Sequence, residues 1–168
     1  YDHVGYRQGV LQDGNSDRIS NGADDDGSGT STLIGIARAC AQGPRPKRSL
    51  LFVWHAGEET GLWGSEYFAD YLSFSTDNIA AQLNMDMIGR SEEVPRGGAG
   101  RFNGLKLQTA ESNASAVNLI GYSYSEDMRQ AALKAYEFVG LTLRQRYDNN
   151  RSNLLRRSDH WVFLNQGI

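Results

Sequence analysis

Three acidic clusters dominate the chemistry that this chain could perform. They are Gly22-Ala23-Asp24-Asp25-Asp26-Gly27-Ser28-Gly29, Ala56-Gly57-Glu58-Glu59-Thr60-Gly61 and Asn84-Met85-Asp86-Met87. Carboxylates gathered at the ends of apolar runs, beside glycines, repel one another and add nothing to packing. A divalent cation offsets that repulsion. Each cluster alone has an ordinary explanation: an aspartate turn or helix N-cap, a solvated strand end, a cap after a strand. Their joint occurrence, in this order, points to metal-assisted hydrolysis. Such a site needs ligands that hold the ion and a separate base that takes a proton from water. In an extended Glu58-Glu59 pair the two side chains point in opposite directions, so one ligates while the other faces substrate. Oxygen donors alone also suit magnesium or calcium. Zinc asks for histidine, and the chain has only His3, His55 and His160. His55 lies within an apolar run and reads as a packed residue.

The elements that would position these clusters follow from hydrophobic periodicity. Leu33, Ile36, Ala37, Cys40 and Ala41 share one face of a helix over residues 29–42, closed by Gly43 and Pro44. Residues 49–55 and 79–85 are continuous apolar runs, which predict two parallel strands buried on both faces. Residues 64–73 read as a second helix, 105–107 and 117–120 as short strands, and 159–165 as a short helix. Ser123 and Glu126 suggest a capping box opening a helix with Met128, Ala132, Ala135 and Val139 buried and Gly140 at its end. Residues 1–21, 90–104 and 147–153 read as loop. Strands alternating with helices predict an α/β fold, a mostly parallel or mixed central sheet flanked by helices, in a single domain over residues 1–168. In open sheets of this kind sites form beyond the carboxyl ends of strands.

Composition narrows the function classes. The 17 basic and 20 acidic residues leave a net charge of −3, too balanced to argue for a nucleic-acid or anionic-membrane partner. The single cysteine, Cys40, excludes an intrachain disulfide and reads as a core residue. No apolar run approaches the ~20 residues that a membrane span requires.

The chain resembles the co-catalytic zinc aminopeptidases of metallopeptidase family 28, which also holds glutamate carboxypeptidases. The matching stretches are Tyr1-Asp2-His3-Val4-Gly5, residues 21–29, residues 48–65, Asn84-Met85-Asp86-Met87-Ile88-Gly89 and Arg157-Ser158-Asp159-His160. The resemblance implies a zinc-exopeptidase fold and two zinc ions in the complete domain. It makes Asp25 the carboxylate bridging the ions, Glu59 and Asp86 ligands of one ion each, and Glu58 the general base. Asp26 would follow a peptide bond that is often cis in this family. Asp2 would orient a histidine ligand, and Asp159 would join the substrate-side hydrogen bonds. The family's histidine ligands would fall immediately before Tyr1 and beyond Ile168, so the chain is expected to be the middle of a catalytic domain, truncated at both ends. His3 and His160 match positions that are not ligands, although either could substitute. The implied activity is hydrolysis of N-terminal peptide bonds by a water activated at two zinc ions. A carboxypeptidase, a single-zinc glutaminyl-cyclase-like enzyme and an inactive binding domain are the alternatives. The resemblance also implies a peptide substrate and a secreted or periplasmic location.

Overall fold

The structure, a computed structural model, describes residues 5, 19, 21–148 and 153–168, with the backbone alone of Arg101. These residues divide into two compact units, Tyr1–Gly89 with Val162–Ile168, and Arg90–Trp161. The expected loop over 1–21 lies largely outside the described residues, as do residues 149–152.

In the first unit, helix α1 spans Gly27–Gln42. It begins two residues earlier than its apolar stripe suggests, because Asp26 caps it by accepting the Gly29 N–H at 3.1 Å. Gly43 closes it, donating to the Ala39 carbonyl at 2.8 Å. Leu33, Ala37 and Cys40 are half-buried on its stripe, while Ile36 is exposed, so Cys40 is a partly covered residue rather than a core one. Helix α2 spans Trp63–Asp70. Its Ala69 packs with Val162 and Phe163 to form the core of this unit, with Leu62, Phe68 and Ile168 against them. His55 is packed as expected, edge-on to Phe68 at 5.5 Å between ring centroids and 5.9 Å from Phe163.

The two apolar runs differ from expectation. Residues 49–55 and 79–85 form no strand among the described residues, and Leu51 and Leu83 are 61% and 77% exposed. An apolar run signals a need for burial, but a strand forms only where a neighbouring strand accepts its backbone N–H and C=O groups. No such ladder reaches these runs among the described residues.

The parallel pairing that marks the α/β class lies in the second unit. Strand β1, Ala116–Leu119, pairs in parallel with β2, Thr142–Gln145, with Ala116 opposite Thr142 and Leu119 opposite Gln145. A short helix α3, Ala110–Asn113, precedes β1, and helix α4, Glu126–Val139, connects the two strands. A parallel pair requires such a crossover. Strand β2 was not foreseen. Residues 105–107 form no strand, and the nearby pairing is a single antiparallel bridge between Val94 and Gln108. The cap of α4 is Ser125, two residues beyond the expected Ser123, and a capping box is formed instead by Thr109 and Ser112 at the start of α3. Ser123 is engaged elsewhere. Its N–H and Oγ donate to Asp148, which also receives the Gly121 N–H at 2.6 Å, so the segments after β1 and β2 are tied at one carboxylate. The half-buried face of α4 carries Met128, Arg129, Ala132, Leu133 and Tyr136, while Ala135 and Val139 are exposed. Arg129 donates to Glu126 from Nε at 2.7 Å, and together with Gln130 it holds that carboxyl down to about 2. Helix α5, His160–Asn165, ends the chain's regular structure and lies where the sequence places it. Among the described residues no helix is long and apolar enough to cross a membrane.

A polar cluster joins the loops of the second unit. Glu92 Oε2 accepts from Arg146 Nη2 at 3.0 Å, Tyr147 OH at 2.7 Å and Asn118 Nδ2 at 3.1 Å. Arg146 also donates to Asn118 Oδ1 and Gln108 Oε1. The Arg146 side chain is 10% exposed and that of Glu92 is 23% exposed. Removing one partner of such a pair leaves the other charge in poor solvent. Glu92→Ala is therefore expected to destabilise this unit by about 2–3 kcal/mol in urea denaturation, less than a fully buried pair because Glu92 is partly wet. An unchanged transition midpoint would show that the cluster adds no stability.

Candidate metal centre

The aspartate triplet is built into the first turn of α1. Asp24, Asp25 and Asp26 are all half-buried, and the Asp25–Asp26 peptide bond is cis. Ser28 Oγ donates to the Asp24 carbonyl at 2.6 Å, and the Gly27 N–H donates to the Gly22 carbonyl at 2.8 Å. These bonds close the turn locally.

The same turn receives the segment that follows Asp86. Met87 N–H donates to Asp26 Oδ1 at 3.3 Å, Ile88 N–H to Ser28 Oγ at 3.0 Å, and Gly89 N–H to Asp24 Oδ1 at 2.8 Å. Three consecutive amides thus meet three side-chain oxygens from residues 24, 26 and 28. Met87 adopts a left-handed φ of +51° within this run. Glycine is needed on both sides of the junction. A Cβ on Gly29 would lie 2.3 Å from the Met85 carbonyl oxygen, and one on Gly89 would lie 2.8 Å from Ser28 Cβ. The segments carrying Asp25 and Asp86 are therefore held together by hydrogen bonds at a distance that only glycine permits.

The glutamate pair sits differently from expectation. Glu58 and Glu59 open a 3-10 helix, Glu58–Thr60, between Gly57 and Gly61, both with left-handed φ. In a 3-10 helix successive side chains are about 120° apart rather than opposed as on an extended strand. The two still differ in setting, since Glu58 is half-buried and Glu59 exposed. The turn is rigid: Gly61 and Leu62 N–H both donate to the Glu58 carbonyl, and Gly64 N–H donates to Ala56 at 2.8 Å. It leads directly into α2, whose Ser65 is fully buried and donates back to Leu62.

Asp2 and His3 lie outside the described residues. Asp159 belongs to the second unit, where it is 8% exposed and its Oδ1 has no hydrogen-bond partner among the described residues. His160 follows it at the start of α5. Among the described residues no group of three or more histidine, cysteine, aspartate or glutamate side chains is placed to hold a metal ion. Asp25, Glu59 and Asp86 carry the carboxylate oxygens that a zinc ligand set combines with imidazole nitrogen. Asp24 and Ser28 were given no role by the sequence motif. Gly29 and Gly89 were the available signal, since paired glycines beside acidic residues mark close backbone approach.

A family model described as Peptidase family M28 matches residues 1–168. A protein of Pyrenophora teres f. teres named "Probable zinc metalloprotease" is 33% identical over 159 residues, covering 87% of this chain and 32% of the relative. One of the same name from Phaeosphaeria nodorum is 29% identical over 177 residues, covering 99% of the chain and 35% of the relative. An Arthroderma benhamiae protein named "Probable leucine aminopeptidase" is 35% identical over 96 residues, covering 54% of the chain and 27% of the relative. The chain thus spans about a third of the length of the curated relatives it matches. No solved structure matches it.

The junction generates a paired expectation for two glycines of α1. Gly29→Ala is expected to destabilise the protein by about 2 kcal/mol, because the added methyl overlaps the Met85 carbonyl and the Asp26 carboxylate. Gly35→Ala, where the same methyl meets open space, is expected to stabilise it by about 0.5–1 kcal/mol through helix propensity. Thermal melts of both variants check this. Equal shifts would show that Gly29 is not tightly enclosed.

Proposed function

The chain belongs to peptidase family M28, and from that premise we propose that the protein is a zinc-dependent exopeptidase that removes residues from peptide N-termini. The observation that carries this reading is the junction of the 24–28 turn with the segment after Asp86, which joins two acidic clusters distant in sequence. Asp24 and Asp26 each engage a carboxylate oxygen with backbone there, and the family motif assigns the ligand role to Asp25. Asp25, Glu59 and Asp86 would hold zinc, with two ions in the whole protein. Bound zinc polarises the scissile carbonyl and makes water acidic enough to attack near neutral pH. The relative named a leucine aminopeptidase supports the aminopeptidase reading over the carboxypeptidase one.

Within this reading Glu58 is the general base. Its backbone is held in a hydrogen-bonded turn between Gly57 and Gly61, and Glu58 is half-buried there. Glu58 takes a proton from the attacking water as oxygen bonds to the carbonyl carbon. It then delivers that proton to the leaving amine as the C–N bond breaks. Asp159, buried in the second unit, is proposed as an acceptor for substrate polar groups.

In the full-length protein, Glu58→Gln is expected to keep zinc, measured by elemental analysis, and to lose about 10²–10⁴-fold in turnover of an aminoacyl-anilide. Turnover near wild type would remove Glu58 as the base.

A further inference from the structure

We propose that Asp24 and Ser28, with Asp26, form a positioning clamp that sets where Asp86 stands relative to Asp25. The inference rests on the metallopeptidase reading, but its evidence is independent of any ligand. Local helix capping accounts for only one of the bonds, the Gly29 N–H on Asp26. The other three cross 60 to 65 residues of sequence and land on consecutive amides directly after Asp86. Closing a loop of that length costs entropy that specific bonds must offset.

Residues 79–85 join no described strand, and Leu83 is 77% exposed. Gly29 is buried, and a Cβ added at Gly29 or Gly89 would collide across the junction. The clamp therefore converts the stable first turn of α1 into a fixed point for the second cluster. Asp24 and Asp26 receive amide N–H groups from across the junction. Asp24 and Ser28 act through Asp86 and are positioning residues rather than ligands.

The test uses the full-length protein and two readouts besides activity. Amide hydrogen exchange at Met87, Ile88 and Gly89 in the metal-free protein reports the clamp. Competition with a chromogenic chelator reports zinc affinity. Asp24→Ala and Ser28→Ala are expected to speed exchange at Gly89 and Ile88 respectively and to weaken zinc binding by about 10–100-fold, the usual effect of removing a group that orients a ligand. Asp24→Asn, which keeps an accepting oxygen, is expected to restore both readouts to near wild type and controls for misfolding. Unchanged exchange in the alanine variants would overturn the clamp. Faster exchange with wild-type zinc affinity would overturn its positioning role, provided Asp25→Ala releases zinc. If Asp25→Ala also retains zinc, the ligand assignment fails, and the positioning role fails with it.

Discussion

Carboxylates crowded into one turn repel, and the arrangement of this protein depends on how that repulsion is contained. Of the three consecutive backbone N–H groups after Asp86, those of Met87 and Gly89 donate to the Asp26 and Asp24 carboxylates and supply part of the compensation, while that of Ile88 donates to the Ser28 hydroxyl. Amide dipoles are fixed in place by the chain, so they stabilise anions without themselves needing neutralisation. Asp24 and Asp26 are held this way. Asp25 and Asp86 stand on two segments that these bonds join. In the proposed metal centre, ligands on these segments would have their ordering cost met during folding, which is the physical content of preorganisation.

The rest of the first unit serves that junction. Gly29 and Gly89 let the two segments approach more closely than any side chain would allow. The glutamate turn is closed by its own hydrogen bonds and anchored into α2, whose Ala69 belongs to the small core with Val162 and Phe163. The second unit uses polar groups differently. Glu92 and Asp148 each gather several donors from separate segments, tying the ends of a small parallel sheet to its loops. Those carboxylates accept from protein donors and hold structure together.

What was legible in the sequence follows from the range of each signal. Helices α1, α2, α4 and α5 were visible because a helical stripe and its caps are local, and β1 because it is a short apolar run beside a helix. Gly43 and Gly140 end their helices as expected. Ser123 misled because a Ser-x-x-Glu pattern is satisfied equally well by a cap or by a distant partner, and here Asp148 is that partner. The runs at 49–55 and 79–85 misled because apolar character reports a demand for cover and says nothing of which segment supplies it. Strand β2 escaped notice because Thr142 and Arg144 make it polar on one side. The family and the acidic clusters were readable from motif alone. The link between Asp24 and Gly89 was not, because nothing in either residue's neighbours specifies a contact 65 positions away.

The most direct test of the metal centre is anomalous scattering at the zinc edge from crystals of the full-length protein. The expected result is zinc within bonding distance of the Asp25 and Asp86 carboxylates, with Asp24 still accepting from the Gly89 amide. Zinc bound through Asp24 or Asp26, or seated away from the junction, would contradict it.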